Sequence, residues 1–197
     1  KQNRLDGIKF KIGIFTNLSH DHLDYHKTFD NYLKSKLYLF EKLLVKKANI
    51  ITDNGIPQYK KIKKIALKNK INLLTILNKK SNLDLISHKY INDKQIVKIQ
   101  HNKINYQFQI NLVGKIQLKN LFMAMLAAEK SNLKFKQIVN SIKNLKSVTG
   151  RFEKIGNIKN NSMVFLDYAH TPDALEVCLV NLKEQFKNKK IFIVFGC

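Results

Sequence analysis

Cysteine, proline and tryptophan are scarce in this chain of 197 residues, which has two cysteines, two prolines and no tryptophan. The cysteines, Cys178 and Cys197, are too few for the disulfide framework of a small secreted domain. Cys178 also falls on the apolar face of a predicted helix. We therefore expect a protein of the reducing cytoplasm. No internal repeat or low-complexity linker interrupts the sequence.

Long hydrophobic runs are absent as well. No window holds the roughly 18 uninterrupted apolar residues that a membrane span needs, so we expect none. The first ten residues, KQNRLDGIKF, lack the apolar core of a signal peptide, and we expect no such peptide. Because 44% of the residues are hydrophobic, the chain has the material for a packed core, as one large domain or two small ones.

Arginine is rare although the formal net charge is +22. Only Arg4 and Arg151 accompany the many lysines, which are spread along the chain. Nucleic-acid readers favour the arginine fork, and abundant Lys, Asn and Ile together indicate codons rich in A and T. We therefore expect no nucleic-acid partner. A non-catalytic basic α/β module that binds an anionic partner stays the alternative.

Strand and helix patterns alternate through the first part of the chain, which predicts a parallel α/β sheet. An antiparallel strand pair around Asn102-Lys103 and two helices follow. After a linker at 147–150 a second α/β unit begins, so the chain divides into 1–149 and 150–197. The predicted strands of the α/β parts are 8–15, 48–52, 71–77, 163–168 and 191–196; the predicted helices are 28–46, 58–69, 117–131, 135–145 and one from Thr171, with Pro172 first.

A histidine-rich loop, FTNLSHDHLDYH (15–26), follows the first predicted strand, where open α/β sheets bind ligands. In an extended segment His20 and His22 share a face and could bind one metal, and Asp21 with Asp24 could favour a hard cation. The spacing is not a strong zinc signature. A polar loop with local hydrogen bonds is the alternative that the spacing alone favours.

Lys36 falls inside the apolar stripe of the helix predicted at 28–46, seven residues after Phe29 and four before Phe40. Burial penalises the charge of a lysine and lowers its pKa. A neutral amine can react with carbon dioxide to give a carbamate, an anionic oxygen donor for Mg²⁺. The alternative is a side chain that extends its ammonium group to solvent at the edge of the stripe, and in a chain with so many lysines the sequence alone favours it.

Several segments in one order resemble the Mur ligases, the ATP-dependent enzymes that build the peptidoglycan stem peptide. The resemblance implies part of the family's parallel-sheet central ATP-binding domain, followed by the start of its Rossmann-like α/β C-terminal domain. DYAHTPDALE is the most specific segment and favours the branch that adds the third residue to UDP-N-acetylmuramoyl-L-alanyl-D-glutamate. The segments are KQNRL, FTNLSHDHLDYHKTFDNYLKSKLYLF, GKIQLKNLFMAMLAA, TGRFEKI and DYAHTPDALE.

The resemblance implies a Mg²⁺ site on the histidine-rich loop and the helix after it. Lys36 is then a carbamylated lysine, and His22 is a ligand of the same Mg²⁺. The other histidines and aspartates of the loop are expected to be structural or to orient His22: His20, His26, Asp21 and Asp24.

The resemblance also implies the substrate-binding residues. Gln2 and Arg4 match positions that bind the UDP-muramoyl dipeptide, where arginine suits a carboxylate or pyrophosphate. Gln117 stands where the family's helix motif has its first asparagine, which puts a contact from that position in doubt. The residues that match ATP-binding positions are Asn120, Arg151, Asp167 and His170.

The implied reaction is an ATP-dependent amide ligation. The γ-phosphoryl group passes to the glutamyl side-chain carboxylate, and the amine of a diamino acid then attacks the acyl phosphate. Diaminopimelate is favoured over lysine as the commoner acceptor. An L-lysine-adding ligase, another Mur enzyme or a folylpolyglutamate synthase is the related alternative. A glycine-rich phosphate loop is expected before residue 1 and an acceptor-recognising loop after residue 197. We therefore expect an inner part of a monomeric ligase, inactive alone.

Overall fold

The computed structural model describes residues 5, 7–19 and 23–196, and for residues 23, 24 and 161 it describes the backbone alone. The strands are β1 (Phe10–Phe15), β2 (Leu44–Asp53), β3 (Asn72–Leu77), β4 (Leu83–Ile91), β5 (Lys94–His101), β6 (Ile104–Ile110), β7 (Glu153–Ile158) and β8 (Ser162–Leu166). The helices are α1 (Leu23–His26), α2 (Phe29–Tyr38), α3 (Tyr59–Lys68), α4 (Lys115–Lys130), α5 (Phe135–Ser141) and α6 (Pro172–Gln185).

The first six strands form one sheet in chain order, β1 to β6. Strands β1 to β4 pair in parallel, whereas β4, β5 and β6 pair antiparallel. The predicted α/β sheet with an antiparallel pair after it is therefore confirmed. The parallel strands β1, β2 and β3 end at one edge, so the loops that follow them share that edge.

Helices cover both faces of this sheet. In β2, Ile50 and Ile51 are both fully buried but belong to opposite cores, as the alternation of side chains along a strand requires. Ile50 packs with the helices α2 and α3, including Leu33 and Ile62. Ile51 packs with α4 and α5, including Phe122. Burial on both faces explains the continuous apolar run of this strand.

The helix predicted at 28–46 is shorter than expected. Regular α2 ends at Tyr38, a π-helical turn occupies Leu39–Leu43, and β2 begins at Leu44. The wide turn brings Phe40 against β1 at Gly13, where a Cβ atom would lie 2.8 Å from Cε1 of Phe40. Phe40 thus packs directly on the backbone of Gly13, and the regular helix ends before it although the apolar periodicity of the sequence continues.

Strands β4 and β7 were not predicted from the sequence, and the prediction of a strand at 191–196 was wrong. β4 and β7 have mixed polar and apolar residues and are held by their antiparallel partners β5 and β8. The strand predicted at 191–196 does not form in the described residues. Phe192 is 86% exposed and Val194 98% exposed there. A strand requires a hydrogen-bonded neighbour, and within the described residues this segment has none.

The strand predicted at 163–168 forms as β8, after the missed β7, and the helix predicted from Thr171 follows as α6. The Thr171 hydroxyl accepts a hydrogen bond from the backbone N–H of Ala174, and Pro172 opens α6. In the described part of the chain, no helix is both long enough and apolar enough to cross a membrane.

Candidate active site

The carboxyl edge of β1 and β2 is fixed by a buried hydroxyl. The side chain of Thr52, fully buried near the end of β2, donates a hydrogen bond of 2.9 Å to the carbonyl oxygen of Phe15, the last residue of β1. This bond holds the two strand ends in register. The loops that leave them therefore start from a rigid base.

Lys36 projects from α2 to this edge. Its Nζ donates a hydrogen bond of 3.0 Å to the carbonyl oxygen of Asn17, in the loop after β1. The same nitrogen lies 4.8 Å from the ring centroid of Tyr32 and 6.0 Å from that of Phe15. The side chain is half-buried. Aromatic faces and a carbonyl oxygen thus hold the amine at the end of β1.

His26 supports this arrangement from the side. Its ring stacks on the ring of Tyr32 at 4.8 Å, and its carbonyl oxygen accepts hydrogen bonds from the backbone of Thr28 and the side chain of Asn31. His26 and Lys36 therefore both contact the ring of Tyr32. This stacking supports the structural role expected for His26, which stays a prediction.

The other predicted residues of the metal loop are not described. His20, Asp21 and His22 lie outside the described residues, as does the side chain of Asp24. Within the described part of the chain, no three His, Cys, Asp or Glu side chains come together as a metal-binding group. Gln2 and Arg4, the predicted contacts to the UDP-sugar dipeptide, also lie outside it.

A second lysine at the edge was missed by sequence reasoning. Asp53, the last residue of β2, is 3% exposed. One carboxylate oxygen accepts from the backbone N–H of Gly55 at 2.8 Å, and the other accepts from Nζ of Lys119 at 2.8 Å. The available signal for Asp53 was an acidic residue directly after the predicted strand ANIIT. Its partner Lys119, 66 residues away, carried no sequence signal for this contact.

The ion pair fixes α4 over the end of β2. Lys119 directly precedes Asn120, which is exposed on α4, and Gln117 is half-buried one turn earlier. The predicted nucleotide contact Asn120 therefore lies on a helix whose position is tied to the strand edge. The ion pair of Lys119 with Asp53 ties α4 to the end of β2.

Arg151, Asp167 and His170 come together at the start of the second unit. The guanidinium group of Arg151 lies 5.5 Å from the ring centroid of Tyr168, and the ring of His170 lies 5.2 Å from the same ring. The backbone N–H of Tyr168 donates to the carbonyl oxygen of Gly150, so the residues around Arg151 and Tyr168 are joined. The three predicted residues thus lie close together around Tyr168, and their contact with a nucleotide stays a prediction.

Asp167 organises this cluster through its carboxylate. One oxygen accepts from the backbone N–H of Phe152 at 2.9 Å, and the other accepts from Ala169 N–H at 2.9 Å and from the thiol of Cys178 at 3.3 Å. Burial, together with the hydrogen bond and charge of Asp167, raises the pKa of Cys178 to about 12, although Arg151 opposes this. The thiol therefore stays protonated and donates.

Two family profiles match this chain. The profile of the Mur ligase middle domain matches residues 1–128, and that of the Mur ligase, glutamate ligase domain, matches residues 150–197. A UDP-N-acetylmuramoyl-L-alanyl-D-glutamate–2,6-diaminopimelate ligase from Rickettsia montanensis is 36% identical over 197 residues, and one from Chelativorans sp. strain BNC1 is 34% identical over 196 residues. Each alignment covers 100% of this chain and 40% of the relative, so the chain spans 40% of the length of these relatives.

Solved structures show the same fold. A UDP-N-acetylmuramoyl-L-alanyl-D-glutamate–2,6-diaminopimelate ligase matches with a TM-score of 0.75 and 27% identity, over 92% of this chain and 37% of that one. MurF from Acinetobacter baumannii matches with a TM-score of 0.76 at 13% identity, over 89% of this chain and 37% of that one, which shows the fold alone. Because the middle-domain profile alone covers residues 1–128, well over half of the sequence, the chain belongs to the Mur ligase family.

Proposed function

We propose that this chain is part of an ATP-dependent ligase that adds meso-diaminopimelate to UDP-N-acetylmuramoyl-L-alanyl-D-glutamate in peptidoglycan synthesis. The observation that carries the proposal is the alignment of relatives with this one name across the whole chain, at 36% identity for the Rickettsia montanensis protein. Residues 1–149 would belong to the central domain and residues 150–197 to the C-terminal domain.

The proposed metal ligands are the carbamate of Lys36 and the ring of His22. The surroundings of Lys36 fit such a group, because a carbamate nitrogen keeps one N–H that can still donate to the carbonyl oxygen of Asn17. The new carboxylate would replace a cation by an anion at the end of β1. Bound Mg²⁺ would supply charge neutralisation for the phosphate oxygens of ATP.

The proposed nucleotide contacts come from both units. Asn120 is exposed on α4 and is available to the base or ribose, while Arg151 supplies a cation for phosphate. Asp167 and His170 flank the loop after β8 and would face the ribose side. Gln2 and Arg4 are the proposed contacts to the UDP-muramoyl dipeptide.

The chemistry would proceed in two transfers. The glutamyl side-chain carboxylate of the dipeptide attacks the γ-phosphorus of ATP, which forms an acyl phosphate and releases ADP. The amine of the acceptor then attacks the acyl carbon, loses a proton and expels inorganic phosphate. Exclusion of water by closure of the C-terminal unit would protect the acyl phosphate from hydrolysis. Because ATP and the nucleotide-sugar substrate are cytoplasmic, we place the reaction there, with a monomeric enzyme.

The test uses the natural polypeptide that carries these residues. It is incubated with ATP, Mg²⁺ and UDP-N-acetylmuramoyl-L-alanyl-D-glutamate, and with meso-diaminopimelate, L-lysine or no acceptor. We expect ADP and a product whose mass equals dipeptide plus diaminopimelate minus water, with the diaminopimelate reaction fastest. Faster use of lysine would correct the acceptor. No acceptor-dependent ADP formation with either amino acid would contradict the ligase.

A further inference from the structure

Helix α4 begins without a cap of its own. Its N-cap residue is Gly114, which has no side chain to accept from the first backbone N–H groups, and its φ of +80° is one that glycine adopts freely. A serine, threonine, asparagine or aspartate ordinarily does this work. The first turn of α4 must therefore find its acceptors elsewhere.

The acceptors come from α6, in the second unit. The side-chain oxygen of Asn181 accepts from the backbone N–H of Ile116 at 3.1 Å, the second residue of α4. The side-chain oxygen of Gln185 accepts from the N–H of Gly114 at 2.8 Å. Both amides are buried, with Asn181 9% and Gln185 6% exposed. Two residues of α6, in the second unit, thus cap the first turn of α4.

Further hydrogen bonds orient both amides. The side-chain NH₂ group of Asn181 donates to the carbonyl oxygen of Val177 at 2.8 Å, which turns its oxygen toward α4. That of Gln185 donates to the carbonyl oxygen of Asp93 at 3.0 Å, in the turn between β4 and β5. Because each amide donates on one side and accepts on the other, neither reverses without losing both bonds.

The two units also share a small apolar cluster at this point. Val113, just before α4, and the half-buried Ile116 in its first turn pack with residues of the second unit, namely Phe152, Phe186 and Leu182. A Cβ atom at Gly114 would lie 2.9 Å from Cβ and Oδ1 of Asn181, so glycine allows the closest approach. The caps therefore sit inside a packed interface and act only when α6 is docked.

We propose that Asn181 and Gln185 are positioning residues that couple docking of the C-terminal unit to nucleotide binding on α4. The capped turn lies just before Lys119, which is fixed on Asp53, and Asn120, the proposed nucleotide contact. Docking of α6 orders the start of the helix that presents Asn120. By linkage, nucleotide that favours the ordered helix favours docking equally. This inference rests on the proposed function.

The test measures nucleotide affinity in the natural polypeptide with a non-hydrolysable ATP analogue and Mg²⁺. Asn181→Ala and Gln185→Met each remove an acceptor, and methionine preserves the volume. We expect the dissociation constant to rise about 2- to 30-fold, the range that loss of one helix cap spans. Asn181→Asp keeps the acceptor oxygen for Ile116 but loses the donor to Val177, so its affinity should lie between those of the wild type and Asn181→Ala. Asn188→Ala, at an exposed asparagine just after α6, is the matched control and should not change it.

A second readout follows docking directly. Fluorescent labels on the two units of each folded variant should show that the analogue shortens their separation in the wild type and shortens it less in Asn181→Ala and Gln185→Met. Unchanged affinity and unchanged closure in both variants, with only a lower melting temperature, would overturn the coupling and leave the ligase intact. Absence of analogue binding in the wild type would instead overturn the proposed function and the coupling together.

Discussion

Two lysines stand at the carboxyl edge of the same sheet in opposite surroundings. Lys119 faces the buried carboxylate of Asp53 at 2.8 Å. Lys36 faces a neutral carbonyl oxygen and two aromatic rings. Of the residues that the structure describes, none pairs a carboxylate with Lys36. The first lysine completes an ion pair, whereas the second is a cation without a described counter-charge.

The difference separates a lysine held by a buried carboxylate from one whose described contacts are a neutral oxygen and two aromatic rings. Removing one partner of a buried ion pair leaves the other unpaired, so Lys119 is suited to hold α4. We propose Lys36 as the carbamylated lysine of this edge, on the resemblance and on its position at the end of β1.

The largest effect is expected from Lys36→Ala in the natural polypeptide. Loss of the proposed carbamate removes a charged group from the phosphate site, and the ligation rate should fall at least about 100-fold, the scale of loss of one charge-stabilising group. The measurement is ADP release with all substrates present, alongside circular dichroism to verify folding.

Lys34→Ala, at an exposed position on the same helix, is the control for this variant and should keep the wild-type rate. Lys119→Ala should retain more activity than Lys36→Ala, because it loosens α4 without touching the metal site. A ligation rate in Lys36→Ala within a few fold of wild type would contradict the proposed role of Lys36 in the reaction.

The Asp53–Lys119 pair should contribute to stability rather than to chemistry. Asp53→Asn or Lys119→Met should each lower the free energy of unfolding by about 1–3 kcal/mol, because each leaves a buried or half-buried polar partner unsatisfied. The loss in the double variant should be smaller than the sum of the two. Urea unfolding of the four proteins measures this coupling.

The exposed pair Lys61–Asp30, 3.8 Å apart, is the matched comparison on the surface. Lys61→Ala should change the free energy of unfolding by less than about 1 kcal/mol, as is usual for surface ion pairs. Equal losses of unfolding free energy at the buried and exposed pairs would show that burial of Asp53 does not strengthen its ion pair.

A histidine–carboxylate pair away from the edge should give the smallest effect. His101 lies between two acceptors, the carbonyl oxygen of Asn82 at 2.6 Å and the carboxylate of Glu129 at 2.7 Å. Burial raises the pKa of Glu129, but the hydrogen bond and charge of His101, with Lys130, outweigh it and leave the pKa lowered. The stability this gives is present above the ordinary glutamate pKa of 4.5 and is lost as pH falls through the lower folded value.

The variant Glu129→Gln tests whether the pKa of Glu129 is lowered in the folded protein. The stability difference between wild type and Glu129→Gln should be about 1 kcal/mol at pH 7, the scale of one buried hydrogen bond, and should shrink as the pH falls below 4.5. Thermal melts across this pH range measure it. A difference that grows as the pH falls would mean that the pKa of Glu129 is raised instead.

The sequence singled out Lys36 by a local signal, but its proposed role came from the resemblance to the Mur ligases and stays a prediction. A strand, a polar loop and a helical stripe follow one another within 30 residues, and the lysine interrupts the stripe. Asp53 with Lys119, and Asn181 with Gly114, could not be predicted in this way. Each pair joins segments that are distant in sequence, and only the packing of α4 on β2 and of α6 on α4 brings the partners together. The strand expected at 191–196 was wrong for a related reason, since a strand depends on a neighbour that local pattern does not supply.

The most direct measurement is ¹³C NMR of the natural polypeptide in ¹³C-bicarbonate with Mg²⁺ and an ATP analogue. We expect one carbamate signal, which is absent in Lys36→Ala and retained in Lys119→Ala. No carbamate signal in the wild type, or a signal that survives Lys36→Ala, would contradict the assignment of Lys36 as the carbamylated lysine of a Mur ligase site.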